Sequence, residues 1–135
     1  LFTGDNGTDA PVVSMMGDRR YGARAVEVEF LGERAWFPYS AFSLAASAEC
    51  PVVVLRTTKT STYRYVVDLT EVLYPRCEGR RDRAGQLRPW VQEYVSLTES
   101  FLEEHPYQCF LFRDVWSKKA IFPGDEEREM QSSQK

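Results

Sequence analysis

PVVSMMGDRRYGARAVEVEFLGERAWFPYSAFSLAASAECPVVVL, residues Pro11 to Leu55, is the stretch on which the reading of the fold turns. It opens with a short apolar run, Val12 to Met16, that breaks at Gly17 and presents Asp18, Arg19 and Arg20. Such a run has no apolar/polar alternation, which predicts a central strand buried on both faces. Charge directly after it falls where an open α/β sheet places its ligand groups. The stretch closes with Pro51-Val52-Val53-Val54-Leu55, a second β-branched run behind a small-residue helical segment. The whole therefore reads as strand, loop and helix leading to a further strand, with a charged pocket edge.

Working outward, Val26, Val28 and Phe30 alternate with Glu27 and Glu29, the period of a strand with one wet face. Gly32-Glu33 interrupts it. Ala35-Trp36-Phe37-Pro38 is apolar, but its proline argues against a central ladder position and suits a tight lead into a helix. Ser40 is a candidate N-cap for that helix, near 40–48, whose Phe42, Leu44, Ala45 and Ala48 allow close packing on a sheet. Beyond Leu55, Tyr63, Tyr65, Val67 and Leu69 alternate against Arg64, Val66 and Asp68, with TTKTS as the turn of an antiparallel hairpin. Tyr74 to Gln86 is arginine-rich without apolar period and reads as an exposed loop.

Leu87, Trp90, Val91, Tyr94, Leu97, Thr98, Phe101 and Leu102 recur at three and four residues, predicting a helix over 87–104 with Pro89 in its first turn. His105-Pro106 ends it, and the aromatic segment Tyr107 to Trp116 is expected to be largely buried. The expectation is an α/β domain: a mixed β-sheet, strands near 12–17, 26–31, 52–57 and 62–69, packed by helices near 40–48 and 87–104. Residues 1–10 read as a surface loop leading into it, 11–117 as the domain, and the charged 118–135 as a polar tail.

A chain of 135 residues, 43% hydrophobic and 13% aromatic, is long enough for one respectable core. Its 17 basic and 20 acidic residues are interspersed, giving a net charge of -3 and no general footprint for nucleic acid. Cys50, Cys77 and Cys109 are odd in number, widely spaced and without a CxxC, so neither a disulfide framework nor a zinc site is suggested. They read as small buried hydrophobes in a reducing compartment. No apolar run approaches the ~20 residues that span a bilayer, and no signal peptide heads the chain. No metal and no cofactor is implied.

With these positions placed, the order of features resembles the C-terminal half of the lysophospholipid acyltransferase superfamily, in the branch that holds the late (lauroyl/myristoyl-type) acyltransferases of lipid A synthesis. The strand ending in an acidic residue is Met15-Met16-Gly17-Asp18-Arg19, and the strand after it is Val26-Glu27-Val28-Glu29-Phe30-Leu31-Gly32. The lead into the helix is Phe37-Pro38-Tyr39-Ser40-Ala41-Phe42-Ser43-Leu44-Ala45, followed by Pro51-Val52-Val53. Gln86 to Leu102 and Tyr107 to Trp116 are similar to the closing helix and aromatic segment, so the resemblance covers roughly residues 11 to 117. Each motif is short; five in the right order are moderately specific.

The resemblance implies a partial acyltransferase-type fold and transfer of a fatty acyl group from a thioester donor, acyl carrier protein or coenzyme A, to a lipid-linked hydroxyl or amine. It implies a cytoplasmic protein, peripheral on the cytoplasmic face of the inner membrane. Asp18 and Arg19 would hold the headgroup or phosphate region, Arg19 through charge-assisted hydrogen bonds. Phe37, Pro38 and Phe42 would line an acyl groove. The family's His-x-x-x-x-Asp, whose histidine takes the acceptor's proton, is absent: the one histidine, His105, has Phe110 at the aspartate's place. The resemblance therefore implies a missing N-terminal half that carries the base, and no catalytic residue is assigned in this chain. The alternative is a non-catalytic α/β binding or interaction domain. A hydrolase is disfavoured by the lack of a Gly-x-Ser-x-Gly elbow. Asp18 and Arg19 as a strand-end ion pair, worth ~0–1 kcal/mol if exposed, and the aromatics as simple core are the plain structural readings that stay open.

Overall fold

The computed structural model describes residues 12–19, 24–79, 81–111 and 114–117. Residues 1–11, 20–23, 80, 112–113 and 118–135 lie outside them, and with them the expectations for 1–10 and 118–135. Four strands and two helices follow in the order β1 (Ala25–Phe30), β2 (Glu33–Pro38), α1 (Ser40–Ala48), β3 (Val52–Ser61), β4 (Arg64–Leu73) and α2 (Arg83–Glu104). The class is α/β, with helices and sheet mixed along the chain.

The alternation in β1 does what its period requires. Val26, Val28 and Phe30 are buried while Glu27 and Glu29 point away. Leu31 (φ 53°) and Gly32 (φ 78°) turn the chain in two residues, both at positive φ, the conformation whose twist matches paired strands. β2 then returns antiparallel, Val26 opposite Phe37 and Val28 opposite Ala35. Residues 33–38 are thus a strand and not merely the approach to a helix. Pro38 is its last residue, where a proline interrupts nothing further along the ladder.

The expected mixed sheet does not form among the described residues: β1–β2 and β3–β4 are separate two-stranded antiparallel sheets. Val12 to Met16 is no central strand either. Val12 is 67% exposed, and Val13, Met15 and Met16 are exposed beside it. The reason lies in the edges such a strand would need. The outer edge of β1 is taken by side chains of α2, Gln92 and Glu99, which hydrogen-bond the backbone of Glu29 and Leu31. On β2, the Trp36 N–H donates to the Val115 carbonyl at 2.7 Å.

β3 and β4 form the expected hairpin, longer than read. Thr57 to Ser61 continue β3, as β-branched residues favour, and the turn tightens to Thr62-Tyr63. A register shift lies between Val54 and Leu55. α2 starts at Arg83, four residues before the apolar period does, because Asp82 caps it by accepting from the Gly85 N–H at 3.2 Å. Pro89 consequently sits inside the helix and not in its first turn; it leaves the Gly85 carbonyl without its i+4 donor. Leu87, Val91 and Val95, one face of α2, are fully buried against Val28, Phe30 and Phe37 in a common core that also takes Val54, Leu73 and Val115. Burying side chains of this size contributes ~1.5–3 kcal/mol each.

The described part of the aromatic segment after α2 is largely exposed or half-exposed, contrary to expectation. Among its described residues Tyr107 is 93% exposed and Phe110 is exposed, while only Val115 is buried and Trp116 stacks on Phe30 at 5.8 Å. The core is already filled by the β1–β2 hairpin and α2. The cysteines are likewise not core: Cys50 is exposed, Cys77 and Cys109 half-buried. Nor is the arginine-rich stretch uniformly solvated. The Arg83 guanidinium donates to Ser43 Oγ at 2.8 Å, to the Ser43 carbonyl at 2.7 Å and to Ser47 Oγ, joining α2 to α1.

Candidate functional site

Gly17 and Asp18 form a bend at the end of the Val12–Met16 run, and the bend lies against α2. A Cβ at residue 17 would overlap the ring and hydroxyl of Tyr94, so only glycine lets the backbone approach so closely. Asp18, half-buried, then stands near enough to Tyr94 for its carboxylate to act on the phenol. Burial, reinforced by the Asp18 charge, pushes the Tyr94 hydroxyl up to about 12. The same two causes, burial first, push the Cys109 thiol up.

The ring of Tyr94 meets Phe42 of α1 edge-on, centroids 6.2 Å apart, and the Tyr94 carbonyl accepts from Thr98 Oγ1 at 3.0 Å. Asp18, Tyr94, Phe42 and Cys109 thus gather from four places in the chain. Chemically the group offers a carboxylate, a protonated phenol and an aromatic wall. It can orient a polar group. Its thiol, pushed toward the protonated form, is a weak nucleophile.

Of the residues expected from sequence, Asp18 and Phe42 are brought together, through Tyr94. Arg19 is exposed next to Asp18. Phe37 is fully buried, its ring edge-on to Phe30 at 5.3 Å, and Pro38 is buried at the end of β2 opposite Ala25. Phe42, 3% exposed, is buried in the same core, so none of the three lines an open surface, which corrects the groove expectation: β2 pairs with β1 and turns this side of the hairpin inward, and α1 packs Phe42 onto it. Tyr94 and Cys109 were the residues that sequence reasoning missed. Tyr94 fell on the apolar stripe of α2, where a tyrosine is indistinguishable from core until its neighbours are known.

His105 caps α2, its N–H donating to the Phe101 carbonyl at 2.8 Å and its ring 5.0 Å from that of Phe101. A separate open cleft of about 500 Å³ is lined by Ala46, Glu49, Cys50 and Tyr74 to Glu78, and it contains none of the residues above. Among the described residues no cluster of three or more His, Cys, Asp or Glu side chains is placed to hold a metal ion, and no helix is long and apolar enough to cross a membrane. Comparison with protein-family models, with curated proteins and with solved structures gives no match.

Proposed function

We propose that this chain is the C-terminal part of a lipid acyltransferase, moving a fatty acyl group from a thioester donor, acyl carrier protein or coenzyme A, to a lipid-linked hydroxyl or amine. The observation that carries the reading is the meeting of two motifs distant in sequence: Asp18 of Met-Gly-Asp-Arg and Phe42 of the Phe-Pro-Tyr-Ser-Ala-Phe segment both reach Tyr94. An acidic group against the Tyr94 ring, which itself packs on the buried Phe42, with the exposed Arg19 cation adjacent, suits a polar headgroup. Asp18 and Arg19 orient the headgroup or a donor phosphate. The attacking hydroxyl forms the new ester bond, the thiolate leaves, and the proton passes from hydroxyl to base and on to the sulfur. That base is the histidine of a His-x-x-x-x-Asp carried by an N-terminal half. The acyltransferase-type fold and its peripheral place on the cytoplasmic face of the inner membrane belong to the same proposal.

A non-catalytic α/β binding domain is the second reading, favoured by one observation: the single histidine of residues 1–135 stands at the end of α2 with its ring 5.0 Å from that of Phe101, far from Asp18 in sequence and with Phe110 where the motif needs an aspartate. Acyl transfer from an acyl thioester to a lipid hydroxyl, assayed with the product of the whole reading frame and with residues 1–135, separates them. Transfer by the former and none by the latter is the expected result. In the active protein Arg19→Ala weakens an anionic donor or acceptor by ~1.5–3 kcal/mol, the range for hydrogen bonds to charged groups. If Asp18→Asn and Arg19→Ala leave turnover unchanged and lower only the melting temperature, the two residues are a structural pair. If the whole product lacks both the motif and the activity, the binding-domain reading stands.

A further inference from the structure

The open cleft of about 500 Å³ lies between the end of α1 and the segment that follows β4, and it shares no residue with the group around Asp18 and Tyr94. Both of its walls are held in place. On one side the Cys50 N–H donates to the Ala45 carbonyl at 3.1 Å, just past the end of α1. On the other, the Gln86 side chain accepts from the Glu78 N–H at 2.7 Å and donates to the Glu78 carbonyl at 3.0 Å, while Pro75 is buried. Two of the three cysteines of the chain line this one cleft. Cys50 is exposed in it. Cys77 is half-buried and packed on the core, its thiol donating weakly to the Gly79 carbonyl at 4.0 Å. Around the two thiols stand Arg76, Glu49 and Glu78, all exposed, and among the described residues none of these three side chains is engaged in a hydrogen bond or ion pair.

We infer that this cleft is a covalent capture site for a small amino-acid disulfide, which Cys50 takes up by thiol–disulfide exchange. The volume falls within the range of small-molecule sites, about 300–1,000 Å³. One guanidinium, two carboxylates and a thiol are the complement of a sulfur-bearing α-amino acid. Arg76 meets its carboxylate through charge-assisted hydrogen bonds, Glu49 and Glu78 meet its ammonium, and Cys50 meets its sulfur. The Cys50 thiolate attacks one sulfur of the disulfide: the bond from Cys50 Sγ to that sulfur forms, the S–S bond of the ligand breaks, and its other half leaves as a thiolate that takes up the proton Cys50 gave up. The ligand is thus the oxidant and its released half the reduced product. Exposure selects Cys50 among the thiols, since Cys77 is recessed and Cys109 lies outside the cleft. The inference makes no use of the acyltransferase reading and goes beyond it.

Cystine and the neutral 2-hydroxyethyl disulfide, each offered to the reduced 135-residue chain without any acyl donor, test it, with a small free thiol as the reference for their intrinsic reactivities. Intact mass and peptide mapping follow the product. A half-cystine adduct on Cys50, formed ahead of any on Cys77 or Cys109 and reversed by dithiothreitol, is expected, and cystine outruns the neutral disulfide once each rate is divided by that with the reference thiol. Arg76→Ala lowers this ratio of cystine to neutral disulfide by about fivefold or more, and Glu49→Gln with Glu78→Gln lowers it too. The circular dichroism spectra stay those of the parent, since these side chains are exposed. No adduct at Cys50, an adduct first at Cys77 or Cys109, a Cys50–Cys77 bridge in place of the adduct, equal normalised rates for the two disulfides, or a ratio indifferent to the three charges overturns the assignment.

Discussion

Gln92 and Glu29 are joined by two hydrogen bonds at once: the Gln92 side-chain carbonyl accepts from the Glu29 N–H and its amide donates to the Glu29 carbonyl, each at 2.9 Å. A single side chain thereby does what a neighbouring strand residue would do, and closes the outer edge of β1 from α2. Glu99 extends the closure by accepting from the Leu31 N–H at 2.6 Å. Gln86 binds both backbone groups of Glu78 in the same way. Edge strands are otherwise free to pair with other chains, and here glutamines supply the missing partner.

Gln92→Ala is expected to lower the unfolding free energy by about 1–2 kcal/mol, two hydrogen bonds at a position where water can partly replace them. Urea denaturation measures the loss, and amide hydrogen exchange at Glu29 should quicken with it. An unchanged exchange rate would mean that the side-chain bridge is not formed in solution.

Arg83 joins α2 to α1 through three acceptors on Ser43 and Ser47. Arg83→Ala should cost about 1.5–3 kcal/mol. Arg83→Lys should recover less than half of that, because an ammonium cannot reproduce the planar fork. Thermal unfolding of the two variants decides it; equal melting temperatures for lysine and arginine would show that only the charge matters.

Gly17→Ala should destabilise by about 1–3 kcal/mol, the usual range for overpacking, since the added methyl overlaps the Tyr94 ring. The same substitution in a Tyr94→Ala background should cost far less, and the double-mutant cycle reports that coupling. Additive effects would place the Asp18 bend away from α2.

The stability should fall in alkali through Tyr94. Its folded-state pKa is about 12 against an ordinary 10.0, so the unfolded chain gives up this proton first as pH rises. The stabilisation is whole below about pH 10 and is lost between about pH 10 and 12, at up to ~1.4 kcal/mol per pH unit. Tyr94→Phe should flatten this part of the profile, measured by urea midpoints from about pH 8 to 11. Parallel profiles for the two proteins would contradict the buried phenol.

What the sequence determined by itself was local. The alternation Val26, Val28, Phe30 set the inward face of β1, the three-and-four spacing of Leu87, Val91 and Val95 set the buried stripe of α2, and Tyr65, Val67 and Leu69 set one arm of a hairpin, because each period is a property of a single element. Pairing is not such a property. Val12 to Met16 reads as a buried strand, yet a strand needs free edges, and those of β1 and β2 are occupied by Gln92, Glu99 and Val115 from far along the chain. The candidate site divides the same way. Asp18 and Phe42 stand out in the sequence as a charge after an apolar run and an aromatic at the start of a helix. Only the packing of α2 brings Tyr94 between them, and only the pairing of β2 with β1 buries Phe37 and Pro38, since contacts across such distances depend on which face each element turns to its neighbours.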